Sequence, residues 1–219
     1  MQIVARKTLE DKMYFDNTFV FDYKISYPSF HTSCDVSAAQ IINDYYFSAA
    51  KRAEDYCRNT LFKQAVNDLK YSQEGQPANS YTFVSSYKIT YNAQCIVSLY
   101  TDTYTYMGGA HGETKRTSDT WNFNTGTRIK LNDIYPLFPS SLFQLQNCIN
   151  QQIEERLSAN PGSFFDDFRV LSRSAFDENN FYLESCHGVI YYQQYDVAPY
   201  STGIPEFYFP LCAVSHLLC

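Results

Sequence analysis

Residues 36–70 contain no glycine and no proline, and apolar side chains recur at Val36, Ala39, Ile42, Tyr46, Ala49, Ala53, Tyr56, Leu61, Ala65 and Leu69. Steps of three and four over that length predict one amphipathic helix, roughly 50 Å long at 1.5 Å per residue. Such a stripe needs a broad surface to bury it, so the remaining chain has to supply a sheet. Gly75 and Pro77 mark the predicted end of the helix.

The flanking segments carry strand patterns. "MYFDNTFVFDYKISY" at 13–27 is aromatic and partly alternating, with a bend at Asp16-Asn17 and a stop at Pro28. "YTFVSSYKITYN" at 81–92 and "CIVSLYTDTYTYM" at 95–107 read as an antiparallel hairpin. "TKRTSDTWNF" and "RIKL" flank "NTGT" at 124–127, a second hairpin. Ser140 and Ser141 offer an N-cap to a helix with Leu142, Leu145, Ile149, Ile153 and Leu157 on one face, stopped by Asn160-Pro161-Gly162. A shorter helix follows in "FFDDFRVLSRSAF", then strands in "NFYLES" and "VIYYQQY" separated by a turn at His187-Gly188. The predicted fold is α+β: a mainly antiparallel sheet with one long N-terminal helix and further helices packed against it. A boundary near 78 divides residues 1–78 from 79–219 as parts of one body.

Composition removes several function classes. Net charge is -6 and no basic run follows a phosphate backbone, which argues against nucleic acid as a partner. No apolar run approaches the roughly 20 residues that span a bilayer, and the first residues lack a leader pattern, so the chain as given reads as soluble. Seven cysteines without CxxC spacing read as reduced thiols, and four histidines without HxH or HExxH spacing indicate no metal site. No cofactor fingerprint occurs. The 20 tyrosines suit half-buried sheets and binding surfaces, because a tyrosine buries its ring while its hydroxyl reaches water.

Two stretches hold the candidate functional residues. In "MGGAHG", Gly108, Gly109 and Gly112 permit a bulge or tight crossover after a strand, and His111 is placed on that loop, where a base or an anion ligand would be useful. In "YYQQYDVAPYSTGIPEF" at 191–207, Pro199 and Pro205 fix φ and remove donors, with Gly203 between them. That segment lies over an edge or a face, and Tyr195, Tyr200 and Phe207 are its anchors or a rim that meets a partner. Tyr100, Tyr104 and Tyr106 share one face of their strand by alternation.

"GGAHG" at 108–112, "LNDIY" at 131–135 and "VIYYQQYDVAPYSTGIPEFYFP" at 189–210 together resemble the DUF3298 family, preceded by a region similar to DUF4163. That resemblance implies the extracytoplasmic, lysozyme-sensing type of domain found in the bacterial anti-sigma-V factor, and a similar N-terminal region accompanies a peptidoglycan deacetylase. It implies a non-catalytic recognition module for a lysozyme-like protein or a glycan, without the anchor and sigma-factor-binding tail of those relatives. Two alternatives stand beside it: a hydrolase of wall or peptide substrates centred on His111, and a cytoplasmic structural or oligomeric domain.

Overall fold

The computed structural model describes residues 1–71 and 81–211. The predicted helix end at Gly75 and Pro77, the boundary near 78, and His216, Cys212 and Cys219 lie outside those residues. The fold is α+β. Strands β1 (Ile3–Phe15), β2 (Thr18–His31), β3 (Tyr81–Ala93), β4 (Ile96–Tyr106), β5 (Glu113–Asn122) and β6 (Thr127–Arg128) follow one another in a six-stranded sheet. Strands β7 (Phe181–Leu183), β8 (His187–Tyr191) and β9 (Glu206–Pro210) form a second, three-stranded sheet. The helices are α1 (Val36–Tyr56), α2 (Phe62–Tyr71), α3 (Leu131–Ile134), α4 (Pro139–Ala159) and α5 (Phe168–Ser174).

The chain divides into two compact units, one of Ile3–Tyr87 with Thr101–Lys115, the other of Met1–Gln2, Lys88–Tyr100 and the residues from Arg116 onward. In the first unit, β1 and β2 form a long antiparallel hairpin through Asp16 and Asn17, whose φ values of 48° and 63° suit a turn that follows strand twist. β2 continues through Pro28 to His31, past its predicted stop. β3 runs parallel to β2 only from Phe21 to Ile25, so Pro28 lies beyond that ladder and breaks none of its bonds. The long helix is present as α1 and α2 joined by a π turn at Cys57–Leu61. Asp35 caps it, its carboxylate accepting from the Ala38 N–H at 2.9 Å. Its buried stripe is Ala39, Ile42, Tyr46, Ala50, Glu54, Cys57, Leu61 and Ala65. The predicted Val36 and Tyr56 are exposed, because the stripe passes one position further on, through a carboxylate that an apolar count overlooks.

In the second unit, α4 starts with Phe138 as its N-cap and Pro139 in the first turn. Ser141 is not the cap: its hydroxyl donates to the Phe138 carbonyl at 3.0 Å from inside the helix. The stripe Leu145, Ile149 and Ile153 is buried as its spacing predicts, packed with Phe164, Phe168, Phe181 and Phe209. His187 and Gly188 belong to β8 rather than to a turn, which falls just before them, where the Glu184 N–H donates to the His187 carbonyl at 2.9 Å. Gly188 is there for space: a Cβ would stand 2.1 Å from the Phe209 ring of the neighbouring strand. Cys34 and Cys95 are disulfide-bonded, which corrects the expectation of reduced thiols throughout. Cys57, Cys148 and Cys186 are free thiols.

Candidate functional site

The glycine loop between β4 and β5 is a bend. Gly108 and Gly109 take φ of 91° and 89°, which only glycine adopts without strain. Gly112 serves the Tyr104 ring instead, since a Cβ would meet it at 2.4 Å. Tyr106 donates to the Gly109 carbonyl at 3.0 Å, and the Nδ1 atom of exposed His111 is 3.0 Å from the Gly112 carbonyl. Tyr104 and Tyr106 are therefore half-buried struts of this bend, while Tyr100 lies against Arg116 and Tyr182.

The first unit also buries a polar knot. Glu54 accepts from the Tyr23 hydroxyl at 2.8 Å, pairs with Lys51, and lies 3.7 Å from Arg58, which in turn holds Asp11 at 2.8 Å. The Lys51 bond, helped by Tyr23 and opposed by burial, holds the Glu54 carboxyl below its ordinary range. Burial, with the Glu54 charge adding to it, pushes both Tyr23 and the Cys57 thiol up to about 12. Every member of this knot answers another, so it reads as a structural fastening of the helix to β1 and β2.

The second unit holds an open groove of about 540 Å³, between the C-terminal end of α4 and the segment leading into β9. Arg156, Asn160, Ser163 and Phe164 come from the α4 side, and Thr202, Ile204, Pro205, Glu206 and Tyr208 from the other. The proline-glycine segment is shaped by short bonds: a 3-10 turn at Tyr200–Thr202 ends at Gly203 with φ of 75°, and the buried Tyr192 N–H donates to the Pro205 carbonyl at 3.1 Å. The Thr202 hydroxyl donates to the Ser163 carbonyl at 2.7 Å, tying the two walls together.

Beneath the groove Glu206 is anchored. Its carboxylate pairs with Arg116, whose side chain is only 8% exposed, and it is hydrogen-bonded to Tyr182. Arg116 lies 3.7 Å over the Tyr100 ring and 5.7 Å from the Tyr191 centroid, and its backbone exchanges two bonds with the Gln193 amide. Burial, then the nearby Glu206 charge, drives the Tyr182 hydroxyl far above its ordinary range. Burial pushes Tyr191 up to about 12, against the opposing Ser118 bond and Arg116 charge. Glu206 is thus a fixed acceptor, 30% exposed, held from below in a low-dielectric bed.

The anticipated rim is only partly a rim. Tyr195 is 54% exposed and packs at 6.1 Å against Tyr200, with Pro199 preceding the turn. Phe207 is fully buried against Phe164 and Tyr192, so its ring holds the core and offers nothing to a partner. The two tyrosines and His111 fall in different units. Glu206 and Tyr208 sat inside the quoted C-terminal stretch without being singled out. Arg116 was hidden because "TKRTSDTWNF" turns Arg116, Ser118 and Thr120 inward, a polar alternation that no apolar count detects. Among the described residues, no group of three or more His, Cys, Asp or Glu side chains is placed to hold a metal ion, and no helix is long and apolar enough to cross a membrane.

Residues 137–211, which contain the whole groove lining, match the family model described as a protein of unknown function, DUF3298. The C-terminal part of the chain is thus similar to the DUF3298 family. Residues 16–114 match a second family model, described as deacetylase PdaC. A crystal structure of a DUF3298 family member from Bacteroides fragilis covers 100% of this chain and 94% of its own, with a TM-score of 0.73 and 19% identity. Another DUF3298 family protein, from Pseudomonas aeruginosa, covers 100% of this chain and 95% of its own at a TM-score of 0.61 and 15% identity. These likenesses show a shared fold. No curated protein matches the chain in sequence. The groove lining therefore lies within the stretch similar to DUF3298, while its supports Arg116 and Tyr100 precede that stretch.

Proposed function

We propose that this protein is a non-catalytic recognition module of the bacterial cell wall, and that its DUF3298 groove takes a peptidoglycan-type glycan. The observation that carries this reading is Glu206, an acceptor immobilised by Arg116 and Tyr182 and facing an open groove. A carboxylate held in advance bonds sugar hydroxyl or amide donors without losing side-chain freedom. Exposed Tyr208 supplies an aromatic face for the C–H side of a sugar ring, and Asn160, Ser163 and Thr202 supply polar edges. The groove volume of about 540 Å³ suits a small ligand rather than a protein surface, which needs roughly 800 Å² on each partner. Disulfide-bonded Cys34 and Cys95 fit the oxidising side of a membrane, where the wall lies. The DUF3298 and deacetylase PdaC matches are consistent with that setting.

Calorimetric titration with chito-oligosaccharides and muropeptides tests it. Saturable heat is expected, weakened about tenfold by Glu206→Ala, as loss of a charge-assisted bond implies. Absence of heat with every wall fragment would refute the groove reading.

A lysozyme-like protein remains a second reading, favoured by the net charge of -6 and the exposed Tyr195 beside Tyr200. Lysozyme-like enzymes are basic, so association would be fast at low salt and would weaken as salt rises. Failure to capture a c-type lysozyme at low salt removes that reading and leaves the glycan reading in place.

A further inference from the structure

The groove carries one charge that no described carboxylate answers. Glu206 is matched from below by Arg116. Arg156, in the last turn of α4, donates to the Glu206 backbone carbonyl at 2.6 Å and lies 4.8 Å over the Phe207 ring. Among the described residues no carboxylate pairs with it. A guanidinium has five N–H donors in a planar fork, and one carbonyl engages only part of it. The carbonyl end of α4 favours a cation there, but that is satisfied by any basic residue and needs no fork.

Neighbouring hydroxyls add direction. Ser163 and Thr202 spend their protons on the carbonyls of Asn160 and Ser163, at 2.8 and 2.7 Å. The lining also includes Arg156, Asn160 and Tyr208, whose side chains carry N–H or O–H donors. Arg156 is the one basic side chain in the groove lining, and the Glu206 carboxylate beside it is already paired with Arg116, so the groove offers a cation in a chain whose net charge is -6.

We propose that the groove selects a carboxylate-bearing ligand, with Arg156 receiving the carboxylate; this rests on the glycan reading and names the ligand class within it. Two wall sources share that chemistry: a carboxylate ether-linked to a hexosamine, and the C-terminal carboxylate of a short peptide.

Three probes separate the outcomes in calorimetric titration at low salt: neutral diacetylchitobiose, the disaccharide of N-acetylglucosamine and N-acetylmuramic acid, and a peptide ending in D-alanyl-D-alanine. The acidic disaccharide is expected to bind about tenfold tighter than the neutral one, as one charge-assisted contact implies. High salt should shrink that ratio. Arg156→Gln should bring it near one, and Arg156→Lys should restore part of it, since lysine keeps the charge and loses the fork. The same Arg156-dependent gain with the peptide alone would assign the carboxylate to the peptide. Equal binding of the two disaccharides overturns the inference and leaves the glycan reading standing, as does a preference that survives Arg156→Gln in a variant that melts like the parent. If no probe binds, the glycan reading fails and the inference falls with it.

Discussion

Glu54 shows what a single buried carboxylate does for this fold. It is bonded by Tyr23 and Lys51 and sits on the buried stripe of α1, where removal leaves a tyrosine hydroxyl without its acceptor. Glu54→Ala is expected to cost about 1–3 kcal/mol at neutral pH, read from the urea midpoint. Because the fold lowers this carboxyl's pKa, its stabilisation is complete above the unfolded value and disappears as pH falls through the folded one. The variant should therefore lose less stability than the parent on acidification; parallel acid limbs would show that Glu54 is not the group responsible. Gly188 is the steric counterpart. Gly188→Ala puts a methyl 2.1 Å from the Phe209 ring and should cost about 1–3 kcal/mol by overpacking. Adding Phe209→Leu should recover part of that cost, and a double-mutant cycle with no coupling would contradict the contact.

At the level of elements, the features written in regular periods were legible. The long helix, the β5–β6 hairpin and the Leu145-Ile149-Ile153 face follow their spacing, whereas Asp16-Asn17 reads only as a bend and turns out to join two long strands. Elements that break the hydrophobic code were not. β1 carries Arg6, Lys7, Glu10, Asp11 and Lys12 along an edge strand that is largely exposed, so no alternation announces it. The groove's foundation was equally silent, because an inward Arg116 resembles any surface arginine until Tyr100 and Glu206 are placed around it. Gly188 reads as a turn residue by type, yet it sits in a strand because the Phe209 ring leaves no room for a side chain. The turn into β4 offers its own test. Gln94 holds φ of 48°, a region that asparagine tolerates better than glutamine. Gln94→Asn should raise stability by about 0.5–1 kcal/mol, and a lowered thermal midpoint would count against this turn geometry.

For the molecule as a whole, cysteine accessibility gives an overall check. Without reductant, alkylation followed by peptide mapping should mark exposed Cys186 first and spare Cys57, which is buried with its thiol pushed up to about 12. Cys34 and Cys95 should react only after reduction and unfolding, and early labelling of either in the folded protein would contradict the bonded state. The division into units has a different reach. Its borders fall after Gln2, Tyr87, Tyr100 and Lys115, so the chain changes unit within β3, β4 and β5. A gene fragment cut at the edges of the DUF3298 match, 137–211, would encode the groove yet omit residues 88–100 and 116–136 of the same unit. Neither unit can thus be excised as one continuous cassette, because any single cut leaves part of its strands behind.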